Sequence, residues 1–151
     1  MLMVEQMSDF KILSGHWNEL QHDAELIRRH VFIQEQNIPE NEEWDDQDAI
    51  SLHFVVYDQN QAIATARLLE NNSIGRVAVL KSHRGLGIGK ILMLNIIQQA
   101  AKEQRTALKL SAQVHAIPFY AGLGFTVQDG TEHLDCGIPH IDMTLSLKVA
   151  S

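Results

Sequence analysis

The chain has 151 residues, 45% hydrophobic and 21% charged, so its length suits one globular domain and its composition excludes a disordered chain. A single cysteine, Cys136, excludes an intrachain disulfide framework and is typical of a reducing compartment. The first ten residues lack the basic start and apolar run of a signal peptide, and the longest uncharged stretch, residues 110–128, contains polar residues, proline and glycine. We therefore expect a cytoplasmic protein with no membrane partner.

The net charge of −7 is concentrated in one segment. Residues 35–48 contain seven acids and no Lys or Arg, whereas the rest of the chain carries twelve acids and twelve bases. Nucleic acid is not an expected partner, because phosphate binding requires a basic face. Two interpretations of the acidic segment stay open: a solvated loop, or a negative rim beside a cleft that attracts a cationic substrate.

Hydrophobic spacing and turn residues predict strands and helices along the whole chain. The predicted elements are a strand ending near Leu13, a helix over 17–37, a hairpin of strands 52–57 and 62–69, a strand over 74–80, a helix over 87–103, a strand over 106–112, a short helix over 118–123, a strand start at 125–127 and a last strand over 141–149. This order predicts an α/β fold in which a mixed sheet has helices on both faces.

Three glycines follow the strand over 74–80, where the next helix begins. Gly85, Gly87 and Gly89 allow backbone N–H groups to approach an anion closely, and the helix N-terminus adds the positive end of a dipole. Such a turn suits a pyrophosphate. Neither a Walker loop nor the dinucleotide-binding fingerprint fits the spacing of these glycines.

Two motifs together resemble the GNAT superfamily of N-acyltransferases. Arg84-x-x-Gly87-x-Gly89, directly after a strand, is similar to the coenzyme A pyrophosphate motif of that family. About thirty residues downstream, Tyr120 precedes a Gly124-Phe125 ending like that of the family's late helix. The resemblance implies a single N-acetyltransferase domain over residues 1–151, with a mixed, mostly antiparallel central sheet flanked by helices.

Several shorter blocks are similar to the ElaA/YjcF-like branch, whose members mostly have no assigned substrate. They are Val31-Phe32, Glu35-Gln36, Glu43-Trp44-Asp45, His53 and Gly137-Ile138-Pro139-His140. In one position the chain departs from the wider superfamily, which commonly has asparagine seven residues before the tyrosine. Gln113 stands there, and its longer arm changes the expected cofactor contact.

The resemblance implies that an amine attacks the thioester of acetyl-CoA directly, which makes three physical demands. A lysine-like amine with a pKa of about 10.4 must first lose a proton, which costs about 4.6 kcal/mol at pH 7, so a base is needed. A backbone N–H of residues 77–79 then stabilises the oxyanion. Finally, the departing thiolate needs a general acid, and the resemblance gives that role to Tyr120. The alternative for Tyr120 is a core tyrosine that packs on Phe119 or Phe125.

The candidate site residues follow from these demands. The base candidates, among which the sequence does not choose, are His140, His53, Glu43 and Glu35. The expected cofactor-binding residues are Val77, Ala78, Val79, Arg84, Gly85, Leu86, Gly87, Ile88, Gly89, Lys90, Gln113 and Tyr120. No metal site is expected, because the eight histidines lack a ligand spacing and there is no cysteine pair.

Two other classes of function stay open beside the enzyme. One is a catalytically silent module that binds or senses acyl-CoA, and the other is a protein-interaction domain that uses the acidic segment. For the enzyme, the expected co-substrate is acetyl-CoA and the expected partner is a small-molecule or peptide amine. A homodimer is an open alternative to a monomer.

Overall fold

The structure is a computed structural model that describes residues 3–7 by their backbone and residues 9–147 in full. Its strands are β1 (Met3–Met7), β2 (Phe10–Gly15), β3 (Leu52–Asp58), β4 (Gln61–Leu68), β5 (Ser73–Val79), β6 (Ala107–Gln113), β7 (Thr126–Val127), β8 (His133–Asp135) and β9 (Ile138–Ser146). Its helices are α1 (Trp17–Arg28), α2 (Glu40–Glu43), α3 (Ile88–Lys102) and α4 (Ile117–Gly122), with a π-helical segment (Arg29–Glu35) after α1 and 3₁₀ turns at Asp48–Ile50, Lys81–His83 and Val114–Ala116.

The described strands form one sheet in the order β1-β2-β3-β4-β5-β6-β9-β7, and β8 pairs with β9. Every pairing is antiparallel except that of β5 with β6. Both faces are covered, since neighbouring residues of β3 enter different cores: Phe54 faces the core that includes α3, and Val55 the core that includes α1. The predicted mixed, mostly antiparallel α/β sheet is therefore confirmed.

The sheet opens between β5 and β6. These parallel strands pair only at Ser73 with Lys109 and at Ile74 with Leu110, after which they separate. On the other side of β5, the register to β4 shifts, and Arg76 adopts a left-handed backbone conformation with φ of 52°. Such a bulge bends a strand and interrupts its pairing. The separation and the bulge together leave part of β5 without a partner in the middle of the sheet.

Three elements differ from the sequence prediction. The opening stretch forms two strands, with Met7 of β1 paired to Phe10 of β2. The helix predicted over 17–37 is present, but only its first part, α1, is α-helical. The part after α1 is π-helical, and Gln36 N donates to the carbonyl oxygen five residues earlier, Val31 O, at 3.1 Å. Strand β8 was not predicted, because its three exposed residues show no hydrophobic pattern. The predicted end of the last strand, at Val149, lies outside the described residues.

A network of buried ion pairs attaches residues 43–48 to the sheet. Arg28, only 1% exposed, donates from Nε to Glu43 at 2.8 Å and from Nη1 to Asp48 at 2.7 Å. Arg67 of β4 donates from Nη1 to both Asp45, at 2.6 Å, and Asp48, at 2.8 Å. Because guanidinium groups from α1 and β4 share these carboxylates, the segment's position is fixed from both sides.

Aromatic rings enclose the same arginine. The Arg28 guanidinium lies 5.6 Å from the Trp17 ring and 5.1 Å from the Trp44 ring. Such cation–π contacts gain strength when the cation is removed from water. Arg28 therefore holds Trp44 and the later part of the acidic segment against α1.

We expect Arg28→Met to lower the free energy of unfolding by about 3–5 kcal/mol, because it leaves Glu43 and Asp48 buried with one cation fewer. The matched control is Arg29→Met, which removes the neighbouring arginine and its exposed pair with Glu40, at a cost below about 1 kcal/mol. Urea unfolding of the three proteins measures both values. Equal losses in the two variants would contradict a structural role for the buried network.

Candidate active site

A cleft of about 430 Å³ occupies the opening between β5 and β6. Its walls are formed by the π-helical segment and its end, α2, β5, the loop residue Arg84, β6, the 3₁₀ turn at Val114–Ala116, α4 and the β8–β9 hairpin. The polar side chains that line it are Glu35, Gln36, Glu43, Arg76, Arg84, Ser111, Gln113, His115, Tyr120, Asp135 and His140. Seven of the residues that the sequence predicted for the site line this cleft: Glu35, Glu43, Val77, Arg84, Gln113, Tyr120 and His140. His53, Ala78, Val79 and residues 85–90 are not among its lining residues.

Helix α3 begins directly after Gly87 of the glycine loop, and no side chain caps its N-terminus. Gly85 and Gly87 both have φ of 79°, a left-handed conformation that glycine adopts at little cost, and a Cβ at either would meet open space. Gly89 has another role, because a Cβ there would lie 3.4 Å from the Phe119 ring of α4. The N–H groups of the first turn have no partner within the helix. The glycine loop and the first turn of α3 therefore present free backbone N–H groups beside the cleft, and such groups can bind an anion.

Val77 lies on the strand before this loop, next to the bulge at Arg76. It lines the cleft and has no paired residue on β4 or β6. Ala78 and Val79 pair with β4, and the Val79 carbonyl accepts a hydrogen bond from Arg84 Nε at 3.0 Å. Among residues 77–79, the backbone of Val77 is thus the best exposed to a bound thioester.

Tyr120 lies at the base of the cleft with 9% of its surface exposed. Its ring packs edge-on against Phe119 and Phe125, at centroid distances of 5.0 and 6.0 Å. Burial raises the pKa of Tyr120 to about 12, so the phenol stays protonated at neutral pH. Its hydroxyl makes no hydrogen bond to any described residue. The aromatic packing and the catalytic interpretation are compatible, because the ring is fixed while the hydroxyl is left available.

His140 lines the opposite part of the cleft wall, on β9. Its Nδ1 lies 2.7 Å from the carbonyl oxygen of Ile138. Since a carbonyl can only accept, Nδ1 carries the hydrogen and the neutral ring has its lone pair on Nε2. Within the described residues Nε2 has no hydrogen-bond partner. The ring also stacks on His133 at 5.7 Å, whose Nε2 accepts from Ser111 Oγ at 2.9 Å.

The other base candidates differ in their surroundings. Glu43 reaches the cleft, where burial raises its pKa while Arg76 and Arg28 oppose that shift. Glu35 reaches it too, and hydrogen bonds from Arg84 lower the pKa of Glu35. His53 lies outside the cleft lining, 1% exposed, with Nε2 donating to Asp48 O at 2.8 Å. Burial lowers the pKa of His53, and its ring packs 4.6 Å from that of Trp17.

The acidic segment matches neither interpretation drawn from the sequence. Five of its seven carboxylates pair with arginines: Glu35 with Arg84, Glu40 with Arg29, Glu43 with Arg28 and Arg76, Asp45 with Arg67 and Arg76, and Asp48 with Arg28 and Arg67. The pairing holds the pKa of Asp45 down at about 2. Most of the segment is thus a structural ion-pair network instead of a solvated loop or a free negative rim.

Five polar residues of the cleft were missed by the sequence prediction: Gln36, Arg76, Ser111, His115 and Asp135. Arg76 places its guanidinium beside Glu43, with Nη2 donating to Glu43 O at 2.9 Å. A charged residue inside an otherwise apolar strand was the available signal, whereas its positive φ is visible only in the structure. Gln36 was noted as part of a sequence block, but its hydrogen bond across the cleft depends on the fold.

Comparison with known proteins agrees with this geometry. A family model for an acetyltransferase (GNAT) domain matches residues 22–147. The chain belongs to the GNAT acetyltransferase family. It is 40% identical over 124 residues to the uncharacterized N-acetyltransferase YjcF of Bacillus subtilis, covering 80% of this chain and 89% of that protein.

Two solved structures extend the likeness to nearly the whole chain. An acyl-CoA N-acyltransferase from Pseudomonas aeruginosa is 28% identical with a TM-score of 0.81, and Escherichia coli ElaA is 27% identical with a TM-score of 0.80. Each match covers 95% of this chain and 100% of the other. The resemblance to the ElaA/YjcF-like branch is confirmed, and the chain is an acyltransferase.

Two features are absent from the described residues. No helix there is long and apolar enough to cross a membrane. The same residues contain no group of three or more His, Cys, Asp or Glu side chains placed to hold a metal ion.

We expect Gly87→Ala to weaken coenzyme A binding at least about tenfold, a loss of about 1.4 kcal/mol, because its Cβ enters the space beside the free N–H groups. The matched control is Gly130→Ala, since Gly130 also has a positive φ, 83°, and also faces open space, but outside the cleft. Both changes carry a similar backbone cost of about 1–2 kcal/mol. Isothermal titration with coenzyme A should separate them, and unchanged affinity in Gly87→Ala would remove the loop as the phosphate cradle.

Proposed function

We propose that the protein transfers an acetyl group from acetyl-CoA to a primary amine, which attacks the thioester directly. The observation that carries the proposal is the coincidence of two unengaged groups in one cleft. The Tyr120 hydroxyl and His140 Nε2 make no hydrogen bonds to described residues, and both line the opening of the sheet. These groups suit the acid and the base that the transfer needs.

In the first step, His140 Nε2 takes a proton from the acceptor's ammonium group, directly or through one water. The Nδ1 hydrogen bond to Ile138 supports this role, because it fixes the tautomer in which Nε2 is basic. Glu43 is the second candidate, since burial raises its pKa, but two arginines engage its carboxylate. We do not assign His53 as the base, because its ring is buried outside the cleft.

In the second step, the neutral amine forms a bond to the thioester carbonyl carbon, and the resulting oxyanion takes a hydrogen bond from the Val77 N–H. Loss of such a donor costs about 3–4 kcal/mol in other acyl-transfer enzymes. Collapse of the intermediate breaks the carbon–sulfur bond, Tyr120 gives its proton to the thiolate, and the tyrosinate regains a proton from the second one that the attacking nitrogen loses. The high pKa of Tyr120 supports the role, because the phenol remains protonated at neutral pH.

The acidic segment gives little support to a preference for a cationic acceptor, because only Glu42 and Asp46 of that segment have no ion pair within the described residues. Four expectations from the sequence stay predictions: acetyl as the acyl group, the cytoplasm as the location, a single domain over residues 1–151 and a homodimer.

A thiol-release assay with acetyl-CoA and a panel of amines tests the function. The enzyme is expected to release coenzyme A with at least one amine, with intersecting initial-velocity patterns, because direct attack needs both substrates bound together. Parallel patterns would contradict direct attack. Tight binding of acetyl-CoA without turnover of any amine would instead support the silent acyl-CoA-binding module.

We expect Tyr120→Phe to lower turnover by about 10²–10⁴-fold with little change in acetyl-CoA affinity, because only the proton donor is lost. Tyr57→Phe is the matched control, since it removes the same hydroxyl from a tyrosine that donates to Asp23 at 2.5 Å outside the cleft. Single-turnover rates compare the variants. A wild-type chemical step in Tyr120→Phe would exclude Tyr120 from the mechanism.

We expect His140→Ala to lose about 10²–10⁴-fold in turnover at neutral pH and to recover part of it when imidazole is added. His133→Ala removes the stacked ring that does not line the cleft, so it should keep most of its turnover and show no response to imidazole. Steady-state rates with and without imidazole measure both. If His140→Ala keeps the wild-type rate, Glu43 becomes the base to test.

A further inference from the structure

Two consecutive residues, Glu35 and Gln36, reach across the cleft to different walls. Glu35 accepts two hydrogen bonds from Arg84 of the glycine loop, from Nη1 at 2.9 Å and from Nη2 at 2.7 Å. Gln36 accepts one from Gln113 Nε2 at the end of β6, at 3.1 Å. Each of the two thus engages a side chain that the sequence predicted would bind the cofactor.

The pairing leaves Arg84 no two-pronged edge with both donors free, since three of its five N–H groups are engaged. Its Nη1 and Nη2 both donate to Glu35, and its Nε donates to the Val79 carbonyl. A carboxylate and a phosphate take the same two-pronged geometry from a guanidinium group, so only one of them can occupy that edge. Arg84 must therefore leave Glu35 before it can make the two-pronged pairing with a diphosphate.

The Arg84–Glu35 pair is exposed enough to exchange. The Arg84 side chain is 43% exposed and that of Glu35 is 35% exposed, whereas the structural pair of Arg28 and Glu43 is 1% and 2% exposed. Exposed ion pairs are weak because water and salt screen them. Hydrogen bonds from Arg84 also lower the pKa of Glu35, so the carboxylate is charged at neutral pH and remains so if released.

We propose that Glu35 is an internal competitor for the diphosphate of acyl-CoA, which on binding takes Arg84 away and releases Glu35 to pair with the acceptor's ammonium group. The first half of the proposal, competition between Glu35 and the diphosphate for Arg84, needs only coenzyme A binding. The second half, pairing of the released Glu35 with the acceptor, rests on the proposed function. Bound acyl-CoA then favours the acceptor, and the acceptor favours acyl-CoA by the same factor.

Isothermal titration with coenzyme A tests the first half. Glu35→Gln should bind coenzyme A about two- to fivefold more tightly than wild type, because Arg84 no longer has a charged competitor. Glu40→Gln is the matched control, since it removes an exposed carboxylate from its pair with Arg29, outside the cleft lining. In an Arg84→Gln background, where binding is already weaker, Glu35→Gln should have no further effect.

Steady-state kinetics test the second half. Glu35→Gln should lower the KM for acetyl-CoA and raise the KM for the amine several-fold, whereas Glu40→Gln should change neither. Equal or weaker coenzyme A binding in Glu35→Gln would overturn the proposal, since Glu35 would then not compete for Arg84. Tighter binding with no turnover of any amine would uphold the competition, remove the acceptor role and count against the proposed enzyme. Absence of coenzyme A binding in both proteins would overturn both.

Discussion

The buried charge of Arg28 is the constraint on which the position of residues 43–48 beside the cleft depends. A guanidinium group that is 1% exposed needs anionic partners, and residues 43–48 supply them as Glu43 and Asp48. The same acids engage Arg67 of β4 and Arg76 of the bulged strand β5. Buried ion pairs add little net stability compared with apolar packing, but they tolerate only one arrangement of their partners. The network is therefore better understood as a device that positions the cleft wall than as a source of stability.

The cleft itself results from backbone pairing. Parallel strands β5 and β6 stay together for two residue pairs, and the bulge at Arg76 then interrupts the pairing of β5 with β4. Unpaired backbone groups inside a protein are costly, so a sheet that leaves them open in its middle has a use for them. In the proposed mechanism, a thioester carbonyl that accepts from the Val77 N–H supplies the missing partner. The left-handed φ of Arg76, unfavourable for a residue with a side chain, is the local cost of that opening.

Much of the fold and the cofactor loop could be predicted from the sequence, because both depend on local patterns. Alternating Phe54 and Val55 face different cores, and Gly85 and Gly87 have the positive φ that their loop requires. The pairing of the acidic segment could not be predicted, since Asp45 and Arg67 are 22 residues apart and meet only through the sheet. Nor could the sequence separate His53 from His140. Both are histidines near a strand, and only tertiary burial removes one of them from the cleft.

Exposure divides the arginine pairs of this protein into two kinds with different consequences. Around Arg28, water is excluded and each carboxylate contacts more than one guanidinium group, so no partner leaves without an uncompensated buried charge. At Arg84, water reaches both partners, so a released Glu35 is solvated at once and another anion can replace it. Both kinds of pair begin on one continuous helical stretch, with Arg28 at the end of α1 and Glu35 at the end of the π-helical segment. The stretch is thus fixed to the sheet at Arg28, whereas the proposed competition lets Glu35, at its end, exchange partners with a ligand.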